Sequence, residues 1–350
     1  LLSLYSFILA IYEKNYFYWF LVPVLLGFSF LSKQAPTVYL IFLITVLSII
    51  FFIRSKNISS FIFAFVGSIT IIILFFVFLF LGGVKLNDFL IQYFSYPMSL
   101  GGSRLEWLFP FEFKRVIWRY KLQYLSIAVL IYLFIKLSLN KKREIFPDYL
   151  IIVSLIIFCL LTVMHQLMTI NAIFIYCLIP IFCGFSHAYS IKYLNKGKII
   201  GHFLIALTLF STVYYYSTYV KNRTFMDLRG VNLKNSIDGK KIHSELSNIK
   251  WITMFYPHDP SKEVPNIKLA LKILEDDKEN KMIVTDYQFI SVFLKQYDFS
   301  PTRFWYNFHG YPTEKNRYFS YWKEFVLKKI RKNNIKSIYV LKPLHGETKP

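Results

Sequence analysis

Between Ser60 and Gly82 the chain runs 23 residues without one charged side chain. A bilayer core is crossed by about 20 apolar residues of helix, which also keeps every backbone N–H and C=O paired inside the segment. Seven further stretches are apolar, with Lys136 their one charged residue: Leu1–Tyr12, Tyr16–Ser32, Pro36–Ile53, Leu122–Leu139, Tyr149–Met168, Asn171–Ser190 and Ile199–Val220. The first is read as the end of a span cut on its N-terminal side, since the chain opens Leu1-Leu2 inside an apolar run. The expected fold is a polytopic α-helical membrane bundle of about eight spans over residues 1–220, followed by a small α/β domain outside the membrane over 221–350.

The charges divide the chain at the same place. Residues 1–220 hold 17 Lys/Arg and 6 Asp/Glu, and residues 221–350 hold 24 and 14. With 55% hydrophobic and only 17% charged residues overall, the composition excludes a disordered chain, a collagen-like repeat and a single water-soluble globule. A net charge of +21 suits nucleic acid, anionic lipid or phosphate-bearing substrates. No zinc-finger spacing and no RNA-binding signature is present, so membrane lipids and lipid phosphates are the expected partners, and nucleic acid is not. Cys159, Cys177 and Cys183 all lie in apolar runs and read as small core residues rather than redox or metal groups.

Basic residues in the short turns orient the bundle. Lys14, Arg54 with Lys56, Lys136 with Lys141, Lys142 and Arg143, and Lys192 with Lys196 and Lys198 fall in every second turn, which the positive-inside rule places in the cytoplasm. His187 and His202 lie toward that side. The opposite short turns carry Lys33 alone, or no charge at 169–171. The long loop Val84–Lys121 falls on the outer side and holds six basic residues, an excess over the rule. This topology sends the last span outward near Val220, in a cell inner membrane with the C-terminal region on the periplasmic or outer side. There the periodicity predicts helices at Gly239–Ile249, Val264–Asp276, Phe289–Tyr297 and Tyr318–Asn333. Strands are expected at Met282–Asp286 and Ser337–Leu341, with a further one at Lys250–Phe255.

Four polar constellations interrupt this pattern. The first is Gly27-Phe28-Ser29-Phe30-Leu31-Ser32-Lys33-Gln34-Ala35-Pro36, with a lysine at the outer end of one span and Pro36 opening the next. It suits a cation aimed at a phosphate in the outer headgroup layer, and equally a snorkelling anchor. The second is the outer loop from Asp88 to Arg104, whose Phe89, Gln92, Phe94 and Tyr96 interleave apolar and polar groups as an interfacial segment does. Gly101-Gly102 permits close approach there, and Arg104 suits bidentate phosphate contact or plain headgroup anchoring. Lys114, Arg115, Arg119 and Lys121 read as headgroup ligands. The third is the polar turn His165-Gln166-Leu167-Met168-Thr169-Ile170-Asn171, where Asn171 suits either a helix cap or a ligand contact. The fourth is Asp286 after a strand, with Arg303 and Tyr306, a candidate acceptor surface that also reads as a helix cap.

The string Leu25-Leu26-Gly27-Phe28-Ser29-Phe30-Leu31-Ser32-Lys33-Gln34 resembles the small-residue helix and Leu-Thr/Ser-Lys segment of polyprenyl-phosphate-sugar glycosyltransferases. These form the GT-C superfamily, which includes bacterial relatives of protein O-mannosyltransferases and the aminoarabinose transferases of lipid A. The motif is short, while the architecture of spans, outer loop and outer C-terminal domain covers nearly the whole chain. The resemblance implies a membrane enzyme that moves a sugar from a polyprenyl-phosphate donor to a glycan, lipid or protein acceptor on the outer face; no cofactor is expected, and the residues themselves show no metal-ligand cluster. Lys33 and Arg104 would bind the donor phosphate, and His165, Gln166, Thr169, Asn171 and Tyr96 would contact donor phosphate or sugar. The family's acidic residue stands in a first outer loop that has no counterpart here; the outer acids of the bundle are Asp88, Glu106 and Glu112, in a later loop. The general base is therefore expected upstream of Leu1, and the fragment is expected to be inactive alone. A transporter or flippase of lipid-linked sugars, or a membrane-anchored binding protein, are the alternatives; the inverted repeats and broken helices of transporters are not seen.

Overall fold

A computed structural model describes residues 1–350 apart from 101–111, 140–144, 170–171, 196, 222–227, 229, 286, 288, 295–298, 303–310 and 342–350; of 172–174 only the backbone is described. The chain divides into two compact units, Leu1–Asn222 and Arg223–Pro350.

The first unit is helical. Its elements are α1 (Leu2–Tyr12), α2 (Tyr16–Ser32), α3 (Gln34–Ser55), α4 (Ile58–Leu81), α5 (Lys121–Ser138), α6 (Phe146–Thr169), α7 (Ile179–Tyr193) and α8 (Gly197–Tyr216). Five of them (α3, α4, α5, α6 and α8) are long and apolar enough to cross a bilayer, while α1 and α2 are shorter apolar helices. The protein is therefore a helical membrane protein. Residues 86–100 form a continuous helical segment with a π turn at Ile91–Ser95, where the sequence suggested an interfacial element.

Each turn is set by local chemistry. Asn15 and Asn57 open α2 and α4 by accepting hydrogen bonds from the backbone N–H groups of Phe17 and Ser60, which satisfies donors that a helix start leaves unpaired. Ala35, which precedes Pro36 across a cis peptide bond, is extended, as a residue before proline prefers. The single span expected over Asn171–Ser190 is instead a 3-10 run, Ala172–Leu178, followed by α7 with Pro180 in its first turn. Proline supplies no N–H to continue an incoming helix, so the helix restarts there.

α2 packs along α4 and α1, α3 lies on α6, and α7 contacts α5 and α8. α6 is the central helix, with 61% of its apolar stretch buried, and α4 is outermost, with 11%. The core is a single cluster that includes Phe7, Trp19, Ile44, Ile127, Ile151, Leu155 and Phe182. The α2–α4 contact is close because Gly67 faces the backbone of Phe20: a Cβ there would stand 2.2 Å from the Phe20 carbonyl oxygen.

One end of this unit is tied by charge. Asp148, buried in the first turn of α6, meets Lys192 at 2.5 Å and accepts hydrogen bonds from the hydroxyls of Tyr189 (3.4 Å) and Tyr193. Lys136 Nζ donates to the Tyr193 carbonyl at 3.2 Å, and the Arg54 guanidinium lies 4.3 Å from the Phe146 ring centre. The basic turns after α3, α5 and α7 thus gather at one end. Lys33 and His165, at the other ends of α3 and α6, lie at the opposite one.

The second unit holds α9 (Val264–Asp276), α10 (Phe319–Lys332) and two sheets of two strands each. β1 (Ile237–Asp238) pairs antiparallel with β2 (Lys250–Trp251), and β3 (Lys281–Thr285) pairs parallel with β4 (Ser337–Leu341), Ile283 opposite Tyr339. Its core joins Ile267, Leu271 and Leu274 of α9 to Ile283, Ile290, Phe293, Ile242 and Leu246. The helix expected at Gly239–Ile249 is a pair of 3-10 turns, Gly239–Lys241 and Ser244–Leu246, because the side chains of Asp238 and His243 accept from the N–H groups of Lys240 and Glu245. The strand expected to Phe255 ends at Trp251. Of the helix expected at Phe289–Tyr297, Ile290–Phe293 is helical.

Candidate functional site

A cavity of about 750 Å³ opens at the end of the first unit remote from Asp148. Three walls meet there. The α2–α3 turn contributes Ser29, Ser32, Lys33, Gln34 and Thr37; the 86–100 segment contributes Gln92, Tyr93 and Pro97; the last turns of α6 contribute Thr162, His165, Gln166 and Thr169. Leu1, Ala35, Pro36, Leu40, Phe158, Leu161, Ile175, Cys177 and Leu178 complete the lining. Phe158 also borders an apolar groove of about 290 Å³ lined by Leu4, Ile8, Leu155 and Phe182.

Short bonds hold these walls. The Ser29 and Thr37 hydroxyls lie 3.0 Å apart and bridge the Lys33 turn. Lys33 itself is extended, closing α2 and opening α3. The Tyr93 hydroxyl donates to the Phe30 carbonyl in the last turn of α2, one of the acceptors that a helix end leaves unpaired. Ring contacts of Phe30 with Tyr93 (5.8 Å) and Phe94 (5.6 Å) and of Phe89 with Tyr93 (4.8 Å) fix the segment against that turn. The Tyr39 hydroxyl donates to Met168 Sδ at 3.7 Å, joining α3 to α6, and Thr169 Oγ1 donates to the His165 carbonyl at 2.9 Å.

Electrostatically the site is one-signed. Lys33 carries the one side-chain charge among the described lining residues, and no carboxylate lines the cavity. The backbone N–H of Lys33 donates to the Ser29 carbonyl at 2.9 Å, and its ammonium makes no hydrogen bond or ion pair among the described residues. Gln166 is 5% exposed and its Oε1 accepts no hydrogen bond among the described residues, a deficit that costs about 1–3 kcal/mol unless something donates to it. Burial pushes the Tyr93 and Tyr96 hydroxyls up from the ordinary tyrosine range, so both are neutral at physiological pH. The lining combines a cation with neutral hydroxyl and amide groups, which suits an anionic, hydroxyl-bearing ligand.

Lys33, His165, Gln166 and Thr169 line this one cavity. Tyr96 does not line it, although Gln92, Tyr93 and Pro97 on the same segment do. Arg104, Asn171, Asp286, Arg303 and Tyr306 lie outside the described residues. The sequence reading missed Gln92 and Tyr93, whose loop was recognised but whose directions were not. It also missed Glu263 in the second unit. That carboxylate is 2% exposed and accepts from Trp251 Nε1 (2.8 Å), Thr253 Oγ1 (3.1 Å) and Tyr287 Oη (2.5 Å). It borders a 340 Å³ pocket with Asn266 and Tyr339, and a Glu just ahead of Val264-Pro265 was the available signal. Among the described residues no three His, Cys, Asp or Glu side chains come together as metal ligands would.

Comparisons with protein-family models, curated proteins and solved structures find no match to this chain.

Proposed function

We propose that the first unit receives the head of a polyprenyl-phosphate sugar in the Lys33 cavity and that the protein is a membrane glycosyltransferase of the GT-C type. The observation that carries this reading is the convergence on a single cavity with an apolar wall of Lys33, a cation for the phosphate, and Gln166 Oε1, an acceptor for a sugar hydroxyl that has no partner among the described residues. Lys33 pairs with the donor phosphate, and Gln92, His165, Gln166 and Thr169 hydrogen-bond the phosphate and sugar. The isoprenoid tail leaves along Leu40, Phe158 and Leu161. Arg104 and Asn171 join this set on the strength of sequence alone.

Transfer needs little else. The acceptor hydroxyl attacks the anomeric carbon, the bond from that carbon to the phosphate oxygen breaks, and the leaving phosphate takes the electron pair beside a cation that lowers the barrier. The hydroxyl proton passes to a carboxylate acting as general base, assigned to a residue outside the described lining. The positive-inside rule reads the basic turns around Asp148 as cytoplasmic, and on that reading the cavity and residues 221–350 are assigned to the outer side. Those residues are read as an α/β acceptor domain, with Asp286 and Arg303 on its acceptor surface.

The test is transfer of labelled sugar from a polyprenyl-phosphate donor by the protein in proteoliposomes, with donor binding measured in parallel. Lys33→Ala is expected to weaken donor binding about 10-fold or more, the weight of one charge-assisted hydrogen bond, while Lys33→Arg retains most of it. Unchanged binding in Lys33→Ala refutes the assignment of the site. Movement of the bound donor across the bilayer refutes transfer and makes the protein a transporter.

A further inference from the structure

The helix α10 combines two properties that the second unit does not use. Its apolar side chains Phe319, Trp322, Val326 and Ile330 recur at three- and four-residue spacing with Phe325 beside them, so they share one face. All of them are half-buried, and none belongs to the unit's hydrophobic core among the described residues. Among the described residues their aromatic contacts are local: Trp322 with Tyr311 at 6.2 Å and with Phe325 at 5.6 Å.

The helix is also strongly basic. Lys328, Arg331 and Lys332 lie away from that face and Lys323 and Lys329 interleave with it, against one acid, Glu324. Three of these, Lys329, Arg331 and Lys332, fall in the last turn, where cations complement the helix dipole. That effect fades within a turn and leaves Lys323 and Lys328 unexplained. Lys329 lies 5.9 Å from the Phe325 ring, a basic head carried on an aromatic surface. Lys323, Lys328, Arg331 and Lys332 make no ion pair among the described residues.

We propose that α10 is a membrane-surface helix that recognises anionic phospholipid. An aromatic and aliphatic face flanked by lysine and arginine is the pattern of helices that lie in the headgroup layer, where the rings enter the acyl boundary and the bases meet lipid phosphates. The bilayer is preferred to a protein partner because the same chain carries five helices able to cross one, so a lipid surface is always within reach. The inference is independent of the glycosyltransferase reading and needs only that the chain is a membrane protein.

The test uses the full chain with Cys159, Cys177 and Cys183 replaced by alanine and a spin label on Ile330→Cys or, separately, Glu324→Cys. It is reconstituted in vesicles of phosphatidylcholine alone or of phosphatidylcholine with one quarter phosphatidylglycerol. In the anionic vesicles the label at 330 is expected to be shielded from a water-soluble nickel relaxant and open to oxygen, while that at 324 stays open to nickel. Shielding at 330 weakens in pure phosphatidylcholine and at high salt. Lys328→Gln with Arg331→Gln lowers the surface-bound population about 25-fold, about fivefold for each charge, whereas Lys328→Arg with Arg331→Lys preserves it. Equal nickel exposure at 330 in both lipids overturns the proposal: shielded in both means that protein covers this face, and open in both means that nothing does.

Discussion

Gly67→Ala is the most informative single substitution in the bundle. The added Cβ would lie 2.2 Å from the Phe20 carbonyl oxygen and 2.9 Å from Pro23 Cγ, against ordinary contact distances near 3.5 Å. Neither neighbour can turn aside: one is backbone and the other a ring fixed in the middle of α2. The helices must therefore part by about an ångström, and helices in lipid are held together largely by such close packing. Overpacking of this kind costs about 2 kcal/mol, a factor of about 30 in the folded-to-unfolded ratio. Gly184→Ala in α7 is the control, because its Cβ meets nothing within 4 Å. There the substitution is expected to stabilise by about 0.5 kcal/mol through helix propensity. Thermal unfolding of the two variants in one detergent separates the cases. A Gly67→Ala protein as stable as Gly184→Ala would refute the α2–α4 contact, and with it the position of the Lys33 turn at the end of α2.

Three further outcomes are expected. Asp148→Asn leaves Lys192 without its partner and weakens the bonds from Tyr189 and Tyr193, so it should destabilise by about 2 kcal/mol; Lys192→Gln, which changes the half-exposed partner, should cost less in the same melt. Tyr93→Phe removes the hydroxyl that donates to Phe30 and should loosen the 86–100 segment, seen as faster backbone hydrogen exchange there with little change at 146–169. In the second unit, the Glu279 N–H and the Tyr339 hydroxyl hold the Asp277 carboxyl below the usual carboxylate range. Its contribution is present in full above the unfolded value near 3.9 and is lost as pH falls through the lower folded value. Carboxyl-carbon NMR titration should show that low value rise toward normal in Tyr339→Phe; no change would remove the hydroxyl as a cause.

What was legible in the sequence follows from which signals are unambiguous. Charge-free runs such as Ser60–Gly82 have few alternatives to a spanning helix, and the strong periodicity of Val264–Asp276 and the compact run Ser337–Leu341 fixed those boundaries to the residue. Gly239–Ile249 failed for an instructive reason. Ile242 and Leu246 are buried at a helical spacing, but polar side chains at 238 and 243 compete for the backbone N–H groups and break the helix into turns. At the cavity, Lys33, His165 and Gln166 stood out because polar groups within apolar runs are costly and usually face a cavity. Gln92 and Tyr93 did not, since an alternating aromatic segment gives no direction to any one side chain. Gly67 was equally silent: glycine is common in such helices, and only three-dimensional proximity to Phe20 gives it meaning.

The outermost helix has a mechanical consequence. α4 spans 24 residues, about 36 Å of helix, which exceeds a hydrocarbon layer of about 30 Å. Such an excess is taken up by leaning, kinking or thickening the lipid around the helix, each to a degree set by bilayer thickness. Its C-terminal end passes through Gly82-Gly83 directly into the segment that carries Gln92 and Tyr93. Thinner or thicker lipid therefore acts as a lever arm on one lip of the cavity, and the composition of the host membrane becomes part of what sets the width of its mouth.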